Sequence, residues 1–190
     1  MYLYSVKKQN RLEENYQIED LLEACKQNNP KAQLEIYNRY YKAMYNTALR
    51  ILHDSHDAED VMQEAFIKAF DKLDSFQGTA SFGAWLKRIV INESIGWLRK
   101  RRKNICLDEK IQLPDEPEIK MDTSDWQVKN LMNAINRLKD NYRIAISLHY
   151  IEGYDYEEMM QILGLSYANV RTLVSRAKNK LKILLTDINQ

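Results

Sequence analysis

The chain has 190 residues, enough for one core or two small ones, and its 28 Lys and Arg nearly balance 27 Asp and Glu to leave a formal net charge of +1. So neutral a balance excludes any argument from bulk charge about nucleic acid; only the placement of charge can carry one. Gly (5) and Pro (3) are scarce, and no β-branched run alternates with polar residues, which excludes a sheet and predicts an all-α fold.

Residues 1–17 are polar and unpatterned, a flexible leader. Helical periodicity begins near Ile18 and runs to about Lys26, with Asn28-Asn29-Pro30 as the break; Pro30 suits the first position of a helix. In the second helix Leu34, Tyr37, Tyr41, Met44, Ala48 and Leu52 form one stripe, interrupted at His53-Asp54-Ser55. The third carries a wide apolar face of Ala58, Val61, Met62, Ala65, Phe66, Ala69, Phe70 and Leu73. Asp57, Glu59, Asp60, Gln63 and Glu64 crowd its outer side. Early acids suit the positive end of a helix. They equally suit a docking face for a basic partner, whereas acid–base catalysis lacks any accompanying pocket chemistry.

Asp74 to Ser81 reads as a polar loop with one aromatic, Phe76, without an apolar neighbour and therefore expected to be exposed. Phe76, Gln77, Gly78, Thr79 and Ser81 offer a ring, small side chains, hydroxyls and backbone amides. The Gly-Lys-Ser/Thr ending of an ATP loop is missing. The segment is either a plain connector or a place where an unstacked base can be held. A fourth helix follows from about Ser81 to Lys103, with Phe82, Trp85, Leu86, Ile89 and Val90 inward. It ends in Arg99-Lys100-Arg101-Arg102-Lys103, cations that suit a helix C-terminus or a phosphate backbone. From Asn104 to Asp125 seven acids (Asp108, Glu109, Asp115, Glu116, Glu118, Asp122, Asp125) and two prolines mark an acidic, flexible linker.

Helical pattern resumes at Trp126, Val128, Leu131, Ala134, Ile135 and Leu138 and continues through Ile144, Ile146, Leu148 and Ile151. Gly153 to Lys178 then reads as a helix-turn-helix. Asp155 and Glu158 form a capping box, Met159, Ile162 and Leu163 an apolar stripe, Gly164 a left-handed stop and Ser166 the next cap. The following helix bears Arg171, Arg176, Lys178, Lys180 and Lys182, with no acid until Asp187. Such a pair lays its second helix in the DNA major groove; an ordinary helical hairpin with a solvated basic face is the plain alternative. The organisation expected is two helical domains, 18–103 and 126–187, joined by the linker 104–125.

Cys25 and Cys106 lack CxxC or Cys/His spacing, so free thiols in a reducing cytosol are expected rather than a zinc site. His53 and His56 lie beside Asp54 and Asp57, but a polar helix boundary explains them more simply than a metal. No nucleophile arrangement is recognisable. Neither a signal segment nor a run near the ~20 apolar residues of a membrane span is present, so a cytoplasmic protein without membrane insertion, cofactor or catalytic site is expected.

The segment Asp60-Val-Met-Gln-Glu-Ala-Phe-Ile-Lys-Ala-Phe70, then Leu73-Asp-Ser-Phe-Gln-Gly78, then Phe82-Gly-Ala-Trp-Leu-Lys-Arg-Ile89 with Asn92 and the basic run, resembles the promoter-melting domain of bacterial sigma factors. The helix-turn-helix resembles their −35-reading domain, and the short two-domain form resembles the extracytoplasmic-function type of the sigma-70 family. The resemblance implies a promoter-specificity subunit that binds core RNA polymerase and both duplex and single-stranded promoter DNA. Asp57, Glu59, Asp60, Gln63 and Glu64 would dock on the clamp helices of the polymerase's largest subunit. Phe76, Gln77, Gly78, Thr79 and Ser81 would capture a flipped −10 base, with Asn92, Arg99, Arg101 and Arg102 along the same strand. Arg171, Thr172, Ser175, Arg176 and Lys178 would read the −35 element. The linker would thread the RNA path, an anti-sigma factor would mask one or both domains, and the free chain would be monomeric. Gly83, Thr79 and Ser175 depart from the residues the family often has there, which affects base preference. The rival readings are a stand-alone helix-turn-helix regulator, which leaves the first domain unexplained, and a polymerase-binding decoy, against which the recognition-helix arginines argue.

Overall fold

The computed structural model describes residues 18–105 and 126–188, all α-helices, tight helical turns and short connections, and no strand occurs among them. The expected leader, and the expected linker beyond its first two residues, lie outside the described residues; those two residues, Asn104 and Ile105, are still helical. The elements are α1 (residues 18–26), α2 (Pro30–Leu52), α3 (Ser55–Asp71), a 3₁₀ turn (Leu73–Ser75) and α4 (Phe82–Ile105) in the first module. The second holds α5 (Trp126–Asn136), α6 (Asp140–Ile146), a π turn (Ser147–Ile151), α7 (Tyr156–Leu163) and α8 (Tyr167–Ile188).

Local chemistry sets the breaks. The Asn29 side chain accepts from the amides of Lys31 (3.0 Å) and Ala32 (3.4 Å), and Pro30 opens α2 where its missing N–H costs nothing. His53 ends α2 in the left-handed conformation, and Asp54 at once caps α3 by accepting from His56 N at 2.9 Å and Asp57 N at 3.0 Å. Two long helices therefore reverse on two residues, which packs α2 against α3 and both against α4.

The first core is built on Ile36, Met44, Ile51, Met62, Leu73, Leu86 and Ile91. The stripe expected on α2 is partly wrong. Leu34 is 60% and Tyr41 45% exposed, while Ile36, Leu49 and Ile51 are buried. The helix is buried over its C-terminal half, where α3 and α4 both cover it, so no single stripe describes it. In the second module the long apolar pattern is three pieces rather than one helix, and Trp126, 64% exposed, stands outside the core. Val170, Val174 and Ala177 of α8 are buried together with Ile144, Ala145, Leu148, Met159 and Ile162. Across the modules, α2 packs on α6 and α4 on α7.

Candidate nucleic-acid interface

The helix-turn-helix forms as its caps dictate. Asp155 accepts from Glu158 N at 2.8 Å, and the Glu158 carboxylate accepts from Asp155 N at 3.0 Å, which satisfies two otherwise orphan amides at the start of α7. Gly164 ends α7 at φ 65, ψ 36, a conformation that costs any residue with a Cβ. Ser166 Oγ accepts from Asn169 N at 3.4 Å to begin α8. Arg171, Thr172, Ser175, Arg176 and Lys178 are all exposed on α8, and Val170, Val174 and Ala177 anchor its other side. Leu173 is half-buried and Val174 fully so, and the pair packs α8 inward. The five exposed residues do not share one row. Arg171, Ser175 and Lys178 follow one line, whereas Thr172 and Arg176 line a groove of about 490 Å³ with Ile95, Leu98 and Arg99 of α4.

The loop of the first module corrects one expectation. Phe76 is not an isolated, exposed ring. It is half-buried, 5.8 Å from Phe82 in an edge contact and 5.4 Å from Trp85. The 3₁₀ turn and the loop fold the chain back, so residues six and nine positions later become its neighbours. Gln77, Gly78, Thr79 and Ser81 are exposed, and Ser81 Oγ accepts from Ala84 N at 3.3 Å as the cap of α4. Gly83 stands where α4 passes close to α2: a Cβ there would lie 2.9 Å from Tyr40 Cε1, so the absence of a larger side chain has a packing cause.

Along α4, Asn92 is exposed and lines a shallow pocket of about 370 Å³ with Asp60, Glu64, Lys68, Glu93, Trp97 and Lys100. Residues expected to serve DNA and residues expected to serve polymerase thus border the same hollow. Lys68 pairs with Glu93 at 2.7 Å and Glu64 at 3.1 Å, and these two carboxylates raise its pKa above the ordinary lysine value. Arg99 donates to the carbonyl of Leu163 at 2.7 Å. Arg101 donates to Asp57 at 3.0 Å and lies 5.4 Å over the Trp97 ring. The Arg102 side chain lies outside the described residues.

On α3, Glu59, Asp60, Gln63 and Glu64 form an exposed acidic face. Asp57 is set apart from them: half-buried, engaged by Arg101, its pKa raised by burial and by Asp54 against the lowering effect of Arg101. Ile67, 61% exposed, stands one turn beyond Gln63 and Glu64, an apolar residue on that face that the sequence reading passed over. The sequence reading also missed Arg50, Lys87 and Glu152, which meet across the two modules. Nothing local in the sequence marks them. Among the described residues no helix is long and apolar enough to cross a membrane.

Residues 36–104 match the family model for Sigma-70 region 2, and residues 129–181 match that for Sigma-70, region 4. The ECF RNA polymerase sigma factor SigM of Bacillus subtilis is 30% identical, over 79% of this chain and 93% of that protein. SigW of the same organism is 28% identical over 90% of this chain and 98% of its own length. The ECF RNA polymerase sigma-E factor of Escherichia coli is 30% identical over 83% and 88%. Among solved structures, the sigma factor RpoE in complex with the anti-sigma factor NepR from Bartonella quintana superposes with a TM-score of 0.65 at 27% identity, covering 80% of this chain and 95% of that one. With both region models met in order and relatives matched over nearly their whole length, the chain belongs to the extracytoplasmic-function RNA polymerase sigma factors of the sigma-70 family.

Proposed function

We propose that this promoter-specificity subunit divides its work among three surfaces. The exposed face of α8 reads the −35 duplex through Arg171, Thr172, Ser175, Arg176 and Lys178. The loop Phe76–Ser81, with Asn92 and the arginines at the end of α4, holds the unpaired −10 strand. The acidic face of α3, Glu59 to Glu64 with Ile67 at its edge, docks on core RNA polymerase. The single observation that carries this division is a capped helix-turn-helix with a basic outer helix on a chain whose other module presents an acidic helix and an aromatic loop. Duplex reading needs groove-facing Arg on a helix, and strand opening needs a platform for an extruded base. The role requires no chemistry of its own, so the chain acts in the cytoplasm as a non-catalytic subunit. An anti-sigma factor, the partner named for the RpoE structure, is the expected inhibitor.

Transcription with purified core polymerase tests the division. Glu59→Lys with Glu64→Lys lowers transcript by weakening assembly. Alanine at Arg176 leaves assembly intact but weakens promoter choice. Equal loss of assembly in both variants would contradict separate surfaces.

A further inference from the structure

Glu152 belongs to none of these surfaces, yet its side chain is only 4% exposed and its partners lie in the other module. Oε1 accepts from the Arg50 guanidinium on α2 and from Thr47 Oγ1 at 3.4 Å, and Oε2 pairs with Lys87 on α4 at 2.8 Å. The π turn puts it there: Glu152 N donates to Ser147 O at 2.9 Å and Tyr154 N to Leu148 O at 3.0 Å, so the carboxylate leaves the helix just before the helix-turn-helix begins. We infer that Glu152 is an intramolecular latch that seats in the Arg50–Thr47–Lys87 socket and holds the free chain closed, with the reading helix turned toward α4. The inference rests on the assignment of α8 as the −35 reader.

Three further contacts join the two modules. Arg143 of α6 donates to Ile51 O at the end of α2 (3.3 Å), and Arg99 of α4 donates to Leu163 O at the end of α7 (2.7 Å). Each module thus offers an arginine to the negative end of a helix in the other. Arg88 donates to Gln161 of α7 at 2.7 Å. The geometric consequence lies in the groove between α4 and α8. Thr172 and Arg176 stand on its wall opposite Ile95, Leu98 and Arg99 of α4. In the closed chain α4 therefore flanks that row of the reading helix, although both side chains keep their exposure to solvent. Lys87, Arg88 and Arg99, cations suited to phosphate, are also engaged by the second module. The latch contacts are polar, and beside them buried apolar residues of both modules join one cluster, so a partner that opens the modules must displace both.

The test is small-angle X-ray scattering on the full-length chain with Glu152→Gln, which keeps the shape and removes the charge. A closed chain of this length has a radius of gyration near ~16 Å, and the variant is expected to exceed wild type by about 3 Å or more. It is also expected to bind a mixed-sequence 30-base-pair duplex at least about threefold more tightly, as the engaged cations come free. A variant that keeps its helical circular dichroism and matches wild type in both measurements overturns the latch. Should Glu152→Gln lose its helical signal, the exposed Gln161→Lys sets like charge against Arg88 and must give the same expansion; no expansion overturns the latch. Transcription by wild type with core polymerase runs alongside. Its absence would refute the promoter role while leaving the scattering result to stand or fall alone.

Discussion

Arg171 and Arg176 are five residues apart on α8, which separates them by about 140° around the helix axis. A helix lying in the major groove cannot point both at base edges, so one reads a base and the other grips a phosphate. Thr172 shares the Arg176 row, whereas the Arg171 row ends in Lys178, a point charge suited to phosphate, so the Arg176 row is the better reader. Arg176→Ala is therefore expected to cost roughly 1–3 kcal/mol at one −35 base pair, and Arg171→Ala to weaken all duplexes alike while lowering the salt slope by about 1, both measured by titration of duplex variants. The reverse pattern would exchange the roles. Phe76 calls for a control that its sequence position did not reveal. Because the ring packs on Phe82 and Trp85, Phe76→Ala loses stability as well as a base platform, by about 1–2 kcal/mol, less than a fully buried Phe costs. Phe76→Leu should recover most of the melting temperature yet not promoter opening, followed by permanganate reactivity of unpaired thymines. Recovery of both would make Phe76 a packing residue only. The aromatic residue was legible in the sequence; its neighbours were not, since only the chain reversal through Gly78 brings α4 over it.

Individual helices were legible mainly at their ends. Asn29-Pro30, Asp155 with Glu158, Gly164 and Ser166 act through backbone groups within four residues, and each cap forms as its sequence spacing requires. Asp155→Ala should cost about 1 kcal/mol by loss of its cap. Gly164→Ala should cost about 1–2 kcal/mol because the left-handed backbone must accept a Cβ, both read by thermal unfolding of the whole chain. Faces were less legible than ends. The α2 stripe failed because burial there depends on where α3 and α4 cross it, and the continuous apolar pattern after Trp126 concealed a break at Leu138-Lys139 and a π turn. The α3 face adds a distinction among its acids. Glu59→Lys with Glu64→Lys should lower affinity for core polymerase about tenfold or more, whereas Asp57→Asn should have a smaller effect, since Asp57 is already paired with Arg101. An equal effect of Asp57→Asn would show that this pair opens on docking.

At the level of the whole molecule, the two-module plan was legible because each module carries its own periodicity and caps, while the joining of modules was not. Glu152 meets Arg50 and Lys87 across long stretches of chain, and each of the three looks like an ordinary surface charge in sequence. Its titration sets how closure depends on pH. Burial alone would raise the Glu152 pKa, but hydrogen bonds and charge from Lys87 and Arg50 outweigh it and hold the carboxyl below the usual glutamate value. A depressed pKa contributes stability above the ordinary value of about 4.3 and loses it as pH falls through the folded value. Tyr154 beside the site has its pKa raised by burial and by Glu152 itself. The radius of gyration should accordingly be flat from about pH 6 to 8 and rise only in acid below about pH 4. A rise near neutrality would require a different titrating group.

The most direct measurement is sequencing of the transcripts that core RNA polymerase makes from fragmented genomic DNA with and without the purified chain. The expected result is a set of start sites that appears only with the chain and shares one −35 and one −10 sequence upstream. Identical start sites in both reactions would contradict the assignment of this chain as a promoter-specificity subunit.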